Sequence, residues 1–260
     1  MKNNKILISK KSKNPYFSVI TVVKNDHHNV ALTLKSVKQQ TFKKFEYLII
    51  DGGSTDKTVE KIMKFKKYIN YLVSEKDKGI YFAMNKGLEL CNGQVVVFLN
   101  SGDILTKNAL KIIKNKFKKK DIDFVFGTVK RHYTKDTILK QGFNLKRLKY
   151  NFDFATAHSS GFFLKKKIYK KVGFFNTSYI CSADYDIYLR TIYKLKIKGD
   201  ATNKNELIGI VKSGGFSSQY SFMKHLIEEA KIRVNNNQNI FFVSLIFFNA
   251  LIKKIVKEFF

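Results

Sequence analysis

Three groups of carboxylates stand beside apolar runs in this sequence. Asp51 ends the run in YLIIDGGSTD, and Asp103 follows a second run in VVVFLNSGDIL. Asp184 and Asp186 begin an apolar helical stretch in SADYDIYLR. Carboxylate oxygens are suitable ligands for a hard cation such as Mn²⁺ or Mg²⁺, and an aspartate near a hydroxyl can remove its proton. The three groups can act together only if the fold brings them to one place.

Each short motif, taken alone, also has a purely structural interpretation. DGGS is typical of a turn with an Asx hydrogen bond, and NSGD is typical of a loop with a capping aspartate. Carboxylates at a helix start favour the helix dipole. Within SADYDIYLR, Asp184 is the first candidate for a general base, and Asp186 is a candidate for an orienting or capping residue. His158 in ATAHSSGFF could bind metal or phosphate, although a lone histidine is more often structural.

Apolar runs alternate with helical patterns over the first 117 residues. The predicted strands cover residues 17–23, 47–50, 71–73 and 95–99, and the predicted helices cover residues 30–40, a stretch from residue 55, 80–90 and 109–117. This alternation predicts a mostly parallel sheet with crossover helices, in which ligands bind at the carboxyl ends of the strands. The second half is less regular, with predicted strands at residues 124–129 and 161–164 and a helix at residues 183–192. No Walker motif or GxGxxG fingerprint is present.

The composition limits the possible classes of function but does not select one of them. The 260 residues contain 49 Lys+Arg and 20 Asp+Glu, for a net charge of +29. This charge predicts an affinity for polyanions or anionic surfaces, although abundant Lys, Asn, Ile, Phe and Tyr also indicate biased base composition. Two cysteines, Cys91 and Cys181, exclude a disulfide framework and lack zinc-type spacing, which favours a reducing cytosol. No RNP, zinc-finger or helix-turn-helix pattern supports nucleic-acid binding.

The two ends of the sequence carry basic segments. The stretch MKNNKILISKKSKN has no long apolar core, so it does not predict a secretory signal, and no window reaches the ~18–20 apolar residues of a transmembrane helix. We expect a basic extension (residues 1–15), a main domain (16–220, with halves 16–117 and 118–220) and a helical tail (221–260). The apolar and basic residues 239–260 fit a membrane-surface helix or a helix docked on the domain. GGFSSQ (residues 214–219) fits a mobile loop that closes over a ligand or a passive turn.

Five motifs in order make a stronger pattern than any one of them. FSVITVVKN, LKSVKQQTFKKFEYLIIDGGSTDKT, SEKDKGIYFAMNKGLELCNGQVVVFLNSGDIL, HSSGFFLKK and SADYDIYLR together span roughly residues 16–192. In this order they resemble the family 2 glycosyltransferases, and most of all the bacterial members that build surface polysaccharides such as capsule or lipopolysaccharide. The resemblance implies an α/β GT-A fold: a mostly parallel central sheet flanked by helices, a Rossmann-like nucleotide-binding half and a less regular acceptor-side half.

The resemblance also implies roles for individual residues. Thr21 and Val23 would line a uridine pocket through their backbone, and Asp51 would hydrogen-bond the uracil ring. Asp103 would be the metal-binding aspartate, and His158 would lie on the donor or metal side. The residues implied to lie near the nucleotide or its diphosphate are Gly53, Asp77, Asn85, Lys86, Ser101 and Gly102. The implied ligands are a nucleotide-sugar, a UDP-sugar by preference, and a Mn²⁺ or Mg²⁺ ion.

The implied reaction is an inverting transfer of a hexosyl or N-acetylhexosaminyl group, with Asp184 as the base. Its acceptor would be a saccharide or a lipid-linked saccharide, and the enzyme would be cytoplasmic or peripheral on the inner face of the cytoplasmic membrane. The sequence departs from the family in three places. NSGD retains a single carboxylate, Phe82 stands where relatives often have aspartate, and Ala183 stands where many have glutamate. Two other hypotheses remain: a non-catalytic nucleotide-sugar-binding or scaffolding protein of the same fold, and a polyanion-binding module.

Overall fold

The computed structural model describes residues 5–119, 121–132, 137–140, 159–212 and 214–259. The strands are β1 (Lys5–Ser9), β2 (Phe17–Val23), β3 (Phe45–Asp51), β4 (Tyr71–Ser74), β5 (Val95–Phe98), β6 (Ile104–Leu105), β7 (Phe124–Phe126), β8 (Thr128–His132), β9 (Thr137–Lys140), β10 (Phe162–Lys165), β11 (Gly199–Ala201) and β12 (Leu207–Lys212). The helices are α1 (Val30–Lys38), α2 (Thr58–Met63), α3 (Ile80–Leu90), α4 (Ala109–Lys116), α5 (Lys166–Val172), α6 (Ala183–Leu189), α7 (Phe222–Asn235) and α8 (Ile240–Phe259). Short 3₁₀ helices cover Lys66–Tyr68, Ser159–Gly161 and Phe216–Gln219, and α6 continues as a π-helix over Arg190–Lys194.

The central sheet has eight strands in the order β1-β4-β3-β2-β5-β10-β7-β11. Strands β4, β3, β2 and β5 run parallel, joined by crossover helices α1, α2 and α3. Every residue of β2 and β5 is buried, as expected for strands covered on both faces. After β2 the chain adds strands on one side, and with β5 it changes to the other side. The predicted α/β architecture is confirmed, and its topological switch point lies between β2 and β5.

Alternate residues of the strands pack into two separate cores. Val19 and Ile49 face the core that also contains α1, α2 and α4. Ile20 and Ile50 face the other core, which contains α3 and α5 to α8. This period of two follows from the pleat of a strand. The sheet is therefore covered by helices on both faces, and its strand ends remain as the edge where loops meet.

The predicted single strand at residues 124–129 is wrong in one respect, because it divides into β7 and β8 in different sheets. β8 belongs to a second sheet with the order β6-β12-β8-β9. Gly127 lies at the break, where an added Cβ atom would come within 2.1 Å of Ile208 Cδ1. The glycine thus permits a close approach to β12 that a side chain would prevent.

Part of the basic extension is an edge strand that the sequence did not predict. β1 pairs antiparallel with β4, from Lys5 opposite Ser74 to Ser9 opposite Tyr71. The Lys10 N–H also donates to the Asn70 carbonyl at 2.8 Å. Residues 5–10 therefore belong to the sheet.

The segment after residue 220 forms two helices, α7 and α8, that pack against each other and on the domain. Leu226 and Ile232 of α7 and Ile246 of α8 are buried in the core of α3, α5 and α6. Among the described residues, no helix combines the length and apolar character needed to cross a membrane. Cys91 and Cys181 are both free and buried.

Candidate active site

The loops after β2, β3 and β5 meet at the switch point of the sheet. The Asn25 N–H donates to Ser54 Oγ at 2.8 Å, and the Asn25 side-chain oxygen accepts from the Thr55 N–H at 2.8 Å. On the other side, Ser101 Oγ donates to Asp26 Oδ2 at 2.7 Å. Side chains therefore connect the two loops that border the crevice where an open α/β sheet binds its ligand.

Asp51 organises the DGGS loop. It is fully buried, and its Oδ2 accepts from the N–H groups of Gly53 and Ser54 at 3.2 and 3.0 Å. Ser74 Oγ donates to the same oxygen at 2.7 Å, and Ser54 Oγ donates to Oδ1. These contacts are those of the Asx-type turn that the sequence favours. The hydrogen bond from Asp51 to a uracil ring stays a prediction.

Thr21 and Val23 form part of the floor below this loop. Thr21 Oγ1 lies 3.0 Å from the hydroxyl of Tyr47, whose pKa is raised by burial. The Val23 carbonyl accepts from the Gly52 N–H at 2.9 Å. Gly53 has φ of +76°, and an added Cβ would lie 3.0 Å from the Lys76 backbone nitrogen. Only glycine fits this position without strain.

Lys86 forms an ion-paired cluster near the same loop. Its Nζ lies 2.6 Å from Asp77 Oδ1 and also pairs with Glu75. Partial burial lowers the Lys86 pKa, but hydrogen bonds to the two carboxylates outweigh it and leave the pKa raised. Asp77 Oδ2 is buried and has no hydrogen-bond partner among the described residues. Gly52 borders this oxygen, since an added Cβ there would lie 3.8 Å away.

Asn85 is separate from that cluster. Its Nδ2 donates to the Phe175 carbonyl at 2.9 Å, and its Oδ1 accepts from the Phe175 N–H at 2.9 Å. Asn85 thus connects α3 to the segment after α5. Its predicted contact with the nucleotide stays a prediction.

The NSGD segment presents a polar edge after β5. Asn100 Nδ2 donates to Ser159 Oγ at 3.1 Å, while Asn100 Oδ1 is buried and without a hydrogen-bond partner in the part of the chain that is described. The Gly102 N–H donates to Thr33 Oγ1 at 2.9 Å, and its φ is +91°. Gly102 therefore makes the tight turn that returns the chain from β5 to β6.

Asp103 lies below that edge and is only 4% exposed. Ser160 Oγ donates to its Oδ2 at 2.5 Å, and the Lys212 N–H also hydrogen-bonds the carboxylate. Burial raises the pKa of Asp103 to about 7, although these bonds and the charge of Arg131 favour the ionised form. Asp103 thus joins the NSGD turn to the Ser159–Gly161 helix and to β12. Its predicted role as a metal ligand stays a prediction, and His158 lies outside the described residues.

A divalent cation fits this edge only with help from another ligand. Within the described ranges, no group of three or more His, Cys, Asp or Glu side chains could hold a metal ion. The chain does provide hard oxygen donors, namely Asn100 Oδ1, which lacks a partner, and the Asp103 carboxylate. Mn²⁺ and Mg²⁺ prefer such oxygens, and Mg²⁺ in particular often takes the rest of its ligands from phosphate and water. The edge therefore fits a cation that arrives with a diphosphate.

Asp184 begins α6 and lies near the start of α3. Its Oδ1 accepts from the Tyr185 N–H at 2.9 Å. Burial raises the pKa of Asp184 to about 6, even though backbone N–H groups and the charge of His225 favour its ionised form. The Tyr81 hydroxyl hydrogen-bonds the Ala183 backbone, and burial and then the charge of Asp184 raise the pKa of Tyr81. Tyr81 lies in the first turn of α3, so the start of α6 meets the start of α3. The role of Asp184 as the base stays a prediction.

Asp186 is held by side chains of the protein, and its expected orienting or capping role stays a prediction. Arg190 donates to its Oδ2 through Nε and Nη2 at 2.9 and 2.8 Å, and Asn236 Nδ2 donates to its Oδ1 at 2.9 Å. Both carboxylate oxygens are thus occupied, which leaves Asp184 as the better candidate for chemistry.

Sequence reasoning missed several residues that shape this site. Asp26 and Ser74 hydrogen-bond the predicted site residues Ser101 and Asp51, and Tyr81 hydrogen-bonds Ala183 beside Asp184, but no role was predicted for any of the three. The largest omission is α7, whose His225 and Glu228 approach the residues before Asp184. Their spacing of three on a helix places them on one face, which was the available signal.

The profile described as Glycosyl transferase family 2 matches residues 18–196. A UDP-Glc:alpha-D-GlcNAc-diphosphoundecaprenol beta-1,3-glucosyltransferase, WfgD of Escherichia coli, is 32% identical over 111 residues, which are 42% of this chain and 44% of that protein. A PGL/p-HBAD biosynthesis glycosyltransferase of Mycobacterium bovis is 27% identical over 183 residues, 68% of this chain and 69% of that protein. The chain thus spans less than half the length of the first of these relatives.

Solved structures show the same fold. S. aureus TarS 1-349 in complex with UDP-GlcNAc aligns with a TM-score of 0.69 and 18% identity over 89% of this chain and 70% of that chain. The mannosyltransferase PcManGT of Pyrobaculum calidifontis, in complex with GDP-Man and Mn2+, aligns with a TM-score of 0.65 and 15% identity over 92% of this chain and 68% of that chain. The expected GT-A fold is therefore confirmed.

The burial of Asp103 leads to a stability prediction that is independent of any ligand. In Asp103→Ala, the Ser160 hydroxyl and the Lys212 N–H lose their acceptor, so we expect a loss of about 1–3 kcal/mol in the free energy of unfolding. Asp103→Asn retains an acceptor oxygen and should lose less. Urea unfolding in EDTA, without nucleotide, measures both variants.

The matched control is Asp123→Ala, which removes a partly exposed carboxylate paired with Lys165 at 3.0 Å. Such pairs contribute at most about 1 kcal/mol. Wild-type stability in Asp103→Ala would contradict the structural role of Asp103.

Proposed function

Because the chain belongs to glycosyl transferase family 2, we propose that it transfers a sugar from a nucleotide-sugar donor to a hydroxyl group with inversion at the anomeric carbon. The observation that carries this proposal is the position of Asp184. Its carboxylate has a pKa raised by burial to about 6, and the residue before it, Ala183, hydrogen-bonds Tyr81 in the first turn of α3. A pKa close to the working pH is what a general base requires.

The chemistry is a single displacement. The acceptor hydroxyl attacks the anomeric carbon from the face opposite the diphosphate, and Asp184 accepts its proton as the new C–O bond forms. The bond between the anomeric carbon and the diphosphate oxygen breaks, and the nucleoside diphosphate leaves with the electron pair. One displacement inverts the configuration and needs one base and no covalent intermediate.

The donor half would bind the nucleotide through the loops after β2, β3 and β4. The Asp51 loop, Thr21 and Val23 would provide the surface for the nucleoside, and the charged Lys86 cluster lies beside the Asp51 loop. When bound with the donor, a Mn²⁺ or Mg²⁺ ion would stabilise negative charge on the diphosphate. Asn100 Oδ1 and the Asp103 carboxylate are the groups of this chain that would hold it.

The relatives support particular substrates. The name of WfgD specifies UDP-Glc and a diphosphoundecaprenol-linked acceptor, and TarS was crystallised with UDP-GlcNAc. We therefore propose a UDP-hexose or UDP-N-acetylhexosamine as donor and a saccharide or lipid-linked saccharide as acceptor, in the synthesis of a surface polysaccharide or lipooligosaccharide. PcManGT, which binds GDP-Man, makes GDP-sugars the second choice.

One observation favours a second function, a non-catalytic nucleotide-sugar-binding protein. NSGD offers a single carboxylate, and that carboxylate is already hydrogen-bonded to Ser160. Such a protein would bind the donor without hydrolysing or transferring it. Assays of donor hydrolysis and transfer with Mn²⁺ distinguish the two functions.

The assignment of Asp184 predicts a variant that folds but does not turn over. Asp184→Asn removes the proton acceptor and should reduce the transfer rate by about 10²-fold or more, with unchanged thermal unfolding. In the wild type, kcat should rise with pH around the Asp184 pKa of about 6 and then level off, because only the ionised carboxylate accepts a proton. Asp184→Asn should lack this rise.

The control for this experiment is Asp123→Asn, whose carboxylate pairs with Lys165 at the opposite end of the sheet. It should retain wild-type kcat. Turnover by purified Asp184→Asn close to that of the wild type would reject Asp184 as the base.

The donor proposal predicts selective stabilisation by nucleotides. UDP and a UDP-sugar at about 100 times their Kd should stabilise the protein by about 2.7 kcal/mol, since they bind only the native state. A thermal-shift series of UDP, GDP and ADP, with and without Mn²⁺, measures this effect. A larger shift with GDP than with UDP would indicate a GDP-sugar as the donor. No shift with any nucleotide would contradict a nucleotide-sugar donor.

We also propose that α8 holds the protein on the cytoplasmic face of an anionic membrane. One side of α8 packs on the domain through Val243 and Ile246, while a stripe on the other side is exposed. The stripe consists of Phe241, Phe242, Leu245, Phe248, Ile252 and Val256, each at least 50% exposed. Lys253 and Lys254 lie on the same helix, and the net charge of the protein is +29. An apolar stripe with nearby lysines suits an interface rich in anionic lipid.

Sedimentation with vesicles tests the membrane proposal. We expect the full chain to bind vesicles of phosphatidylglycerol and phosphatidylcholine, and a Phe241→Ser/Phe248→Ser/Ile252→Ser variant to bind them at least tenfold more weakly. This variant changes exposed side chains only, so its thermal unfolding should stay close to that of the wild type. Equal vesicle binding by both proteins, or self-association that the same substitutions abolish without any vesicle binding, would contradict a membrane role.

A further inference from the structure

Helix α7 directs a row of polar side chains at the segment that carries Asp184. His225, Glu228, Arg233 and Asn236, the residue that caps the helix, all contact residues between 180 and 186. These contacts fall on both sides of Asp184, and none is made to its carboxylate oxygens. The arrangement fixes the backbone around the base and leaves the base itself to the acceptor.

Glu228 makes the most specific of these contacts. Its side chain is 7% exposed, its Oε1 accepts from the Ile180 N–H at 2.7 Å and its Oε2 accepts from the Cys181 N–H at 2.8 Å. Burial would raise the pKa of Glu228, but these N–H donors outweigh it and lower the pKa, so the carboxylate is ionised. Two consecutive amides just before α6 are thus held by one planar group.

His225 connects the same segment to the loop before α7. Its Nε2 lies 2.8 Å from the Ser217 carbonyl oxygen, and its Nδ1 lies 3.4 Å from Ser182 Oγ. Because a carbonyl oxygen only accepts, Nε2 must carry the proton, and in the neutral ring Nδ1 accepts from the Ser182 hydroxyl. Ser182 is the residue that precedes α6, and Ser217 belongs to the Phe216–Gln219 helix.

The far end of α7 holds the residues that follow Asp184. Arg233 is fully buried, and its Nε donates to the Tyr185 hydroxyl at 2.7 Å. Asn236 Nδ2 donates to Asp186 Oδ1 at 2.9 Å. Buried charges cost free energy unless they are well hydrogen-bonded, and apolar side chains could hold two helices together without that cost. The polar contacts supply a fixed geometry that apolar packing alone does not.

We infer that α7 positions the base of the proposed transfer reaction, with Glu228 fixing the backbone before Asp184 and His225 coupling that backbone to residues 214–219. The inference rests on the proposed function, because it assigns a role relative to Asp184. Glu228 and His225 are positioning residues, since they act on the acceptor only through Asp184. Displacement of a catalytic group by about 1 Å can cost about 10²-fold in rate.

The central test is Glu228→Gln, which keeps the size of the side chain. A Gln amide offers one acceptor and one donor group, so its NH₂ would face a backbone N–H, and one of the two bonds would be lost. We expect kcat to fall about 10-fold to 10²-fold, with the KM for donor and the thermal shift by UDP unchanged. His225→Ala should lower kcat in the same way as Glu228→Gln. Glu228→Asp, which keeps the charge, should have a kcat between that of Glu228→Gln and that of the wild type.

The double variant Glu228→Gln/Asp184→Asn distinguishes an effect on the position of Asp184 from a general loss of stability. If Glu228 acts through Asp184, Glu228→Gln should cost no further rate in the Asp184→Asn background. A full additional loss there, or a wild-type kcat in both Glu228→Gln and His225→Ala, would overturn the inference while the proposed function stands. If Glu228→Gln fails to fold, as judged by loss of the UDP shift, His225→Ala and its double variant with Asp184→Asn decide by the same criteria.

The proposed function fails by a different result, namely that the wild type transfers no sugar from any donor. Wild-type turnover by Asp184→Asn would reject Asp184 as the base, and the inference would fall with that assignment while sugar transfer stands. Asp123→Asn serves again as the control, and its kcat should stay unchanged in every background.

Discussion

Two buried carboxylates hold the loops that leave the sheet at its carboxyl edge. Asp51 accepts from the N–H groups of Gly53 and Ser54 in the loop after β3, and Asp103, in the loop after β5, accepts from the N–H of Lys212 at the end of β12. A buried amide without an acceptor is costly, so these bonds determine the loop conformations. The crevice between β2 and β5 keeps its shape because the loops are fixed, and the positions of Ser101, Gly53 and Lys86 follow from it.

Among the described residues, five carboxylates are buried, whereas Arg233 is the only buried basic side chain. Glu46 accepts from Ser18 and Gly93, Asp186 pairs with Arg190, and Glu228 accepts from Ile180 and Cys181. Most lysines lie at the surface, so the exposed charge is more strongly positive than the composition alone indicates. A surface of this kind attracts anionic substrates and lipid head groups over distances of about a Debye length, ~8 Å at physiological salt. Both the anionic donor and the anionic membrane proposed for this protein would be attracted by such a surface.

The first half of the fold could be predicted from sequence because its information is local. The helix at residues 80–90 and the strand at residues 17–23 follow from periodicity, and the structure has them at the same bounds. The second half depends on distant pairing. β12 pairs with β8 across some eighty residues of chain, and Gly127 divides a continuous apolar run between two sheets. Neither fact is visible in a window of ten or twenty residues.

Parts of the candidate site could be predicted from sequence to a similar extent as the fold. The motifs predict Asp51 at the end of one strand and Asp103 just after another, as the structure has them, but they do not show that Asp103 is buried against Ser160 or that Asn85 is bonded to Phe175. Those facts depend on which loop covers which strand end. The contacts of α7 could not be predicted for a related reason, because the sequence indicates a helical tail after residue 220 but not which element the helix packs on.

The antiparallel edge strand β1 covers a strand that supports the candidate site. Lys5 pairs with Ser74, whose hydroxyl donates to Asp51. Lys5 therefore lies at the rim that would bind the nucleotide, and Ser9 lies toward the opposite rim. A variant with a shortened β1 would leave β4 as an exposed edge strand beside the Asp51 loop. Unpaired N–H and C=O groups at such an edge favour pairing with a second chain, so this variant should aggregate more readily.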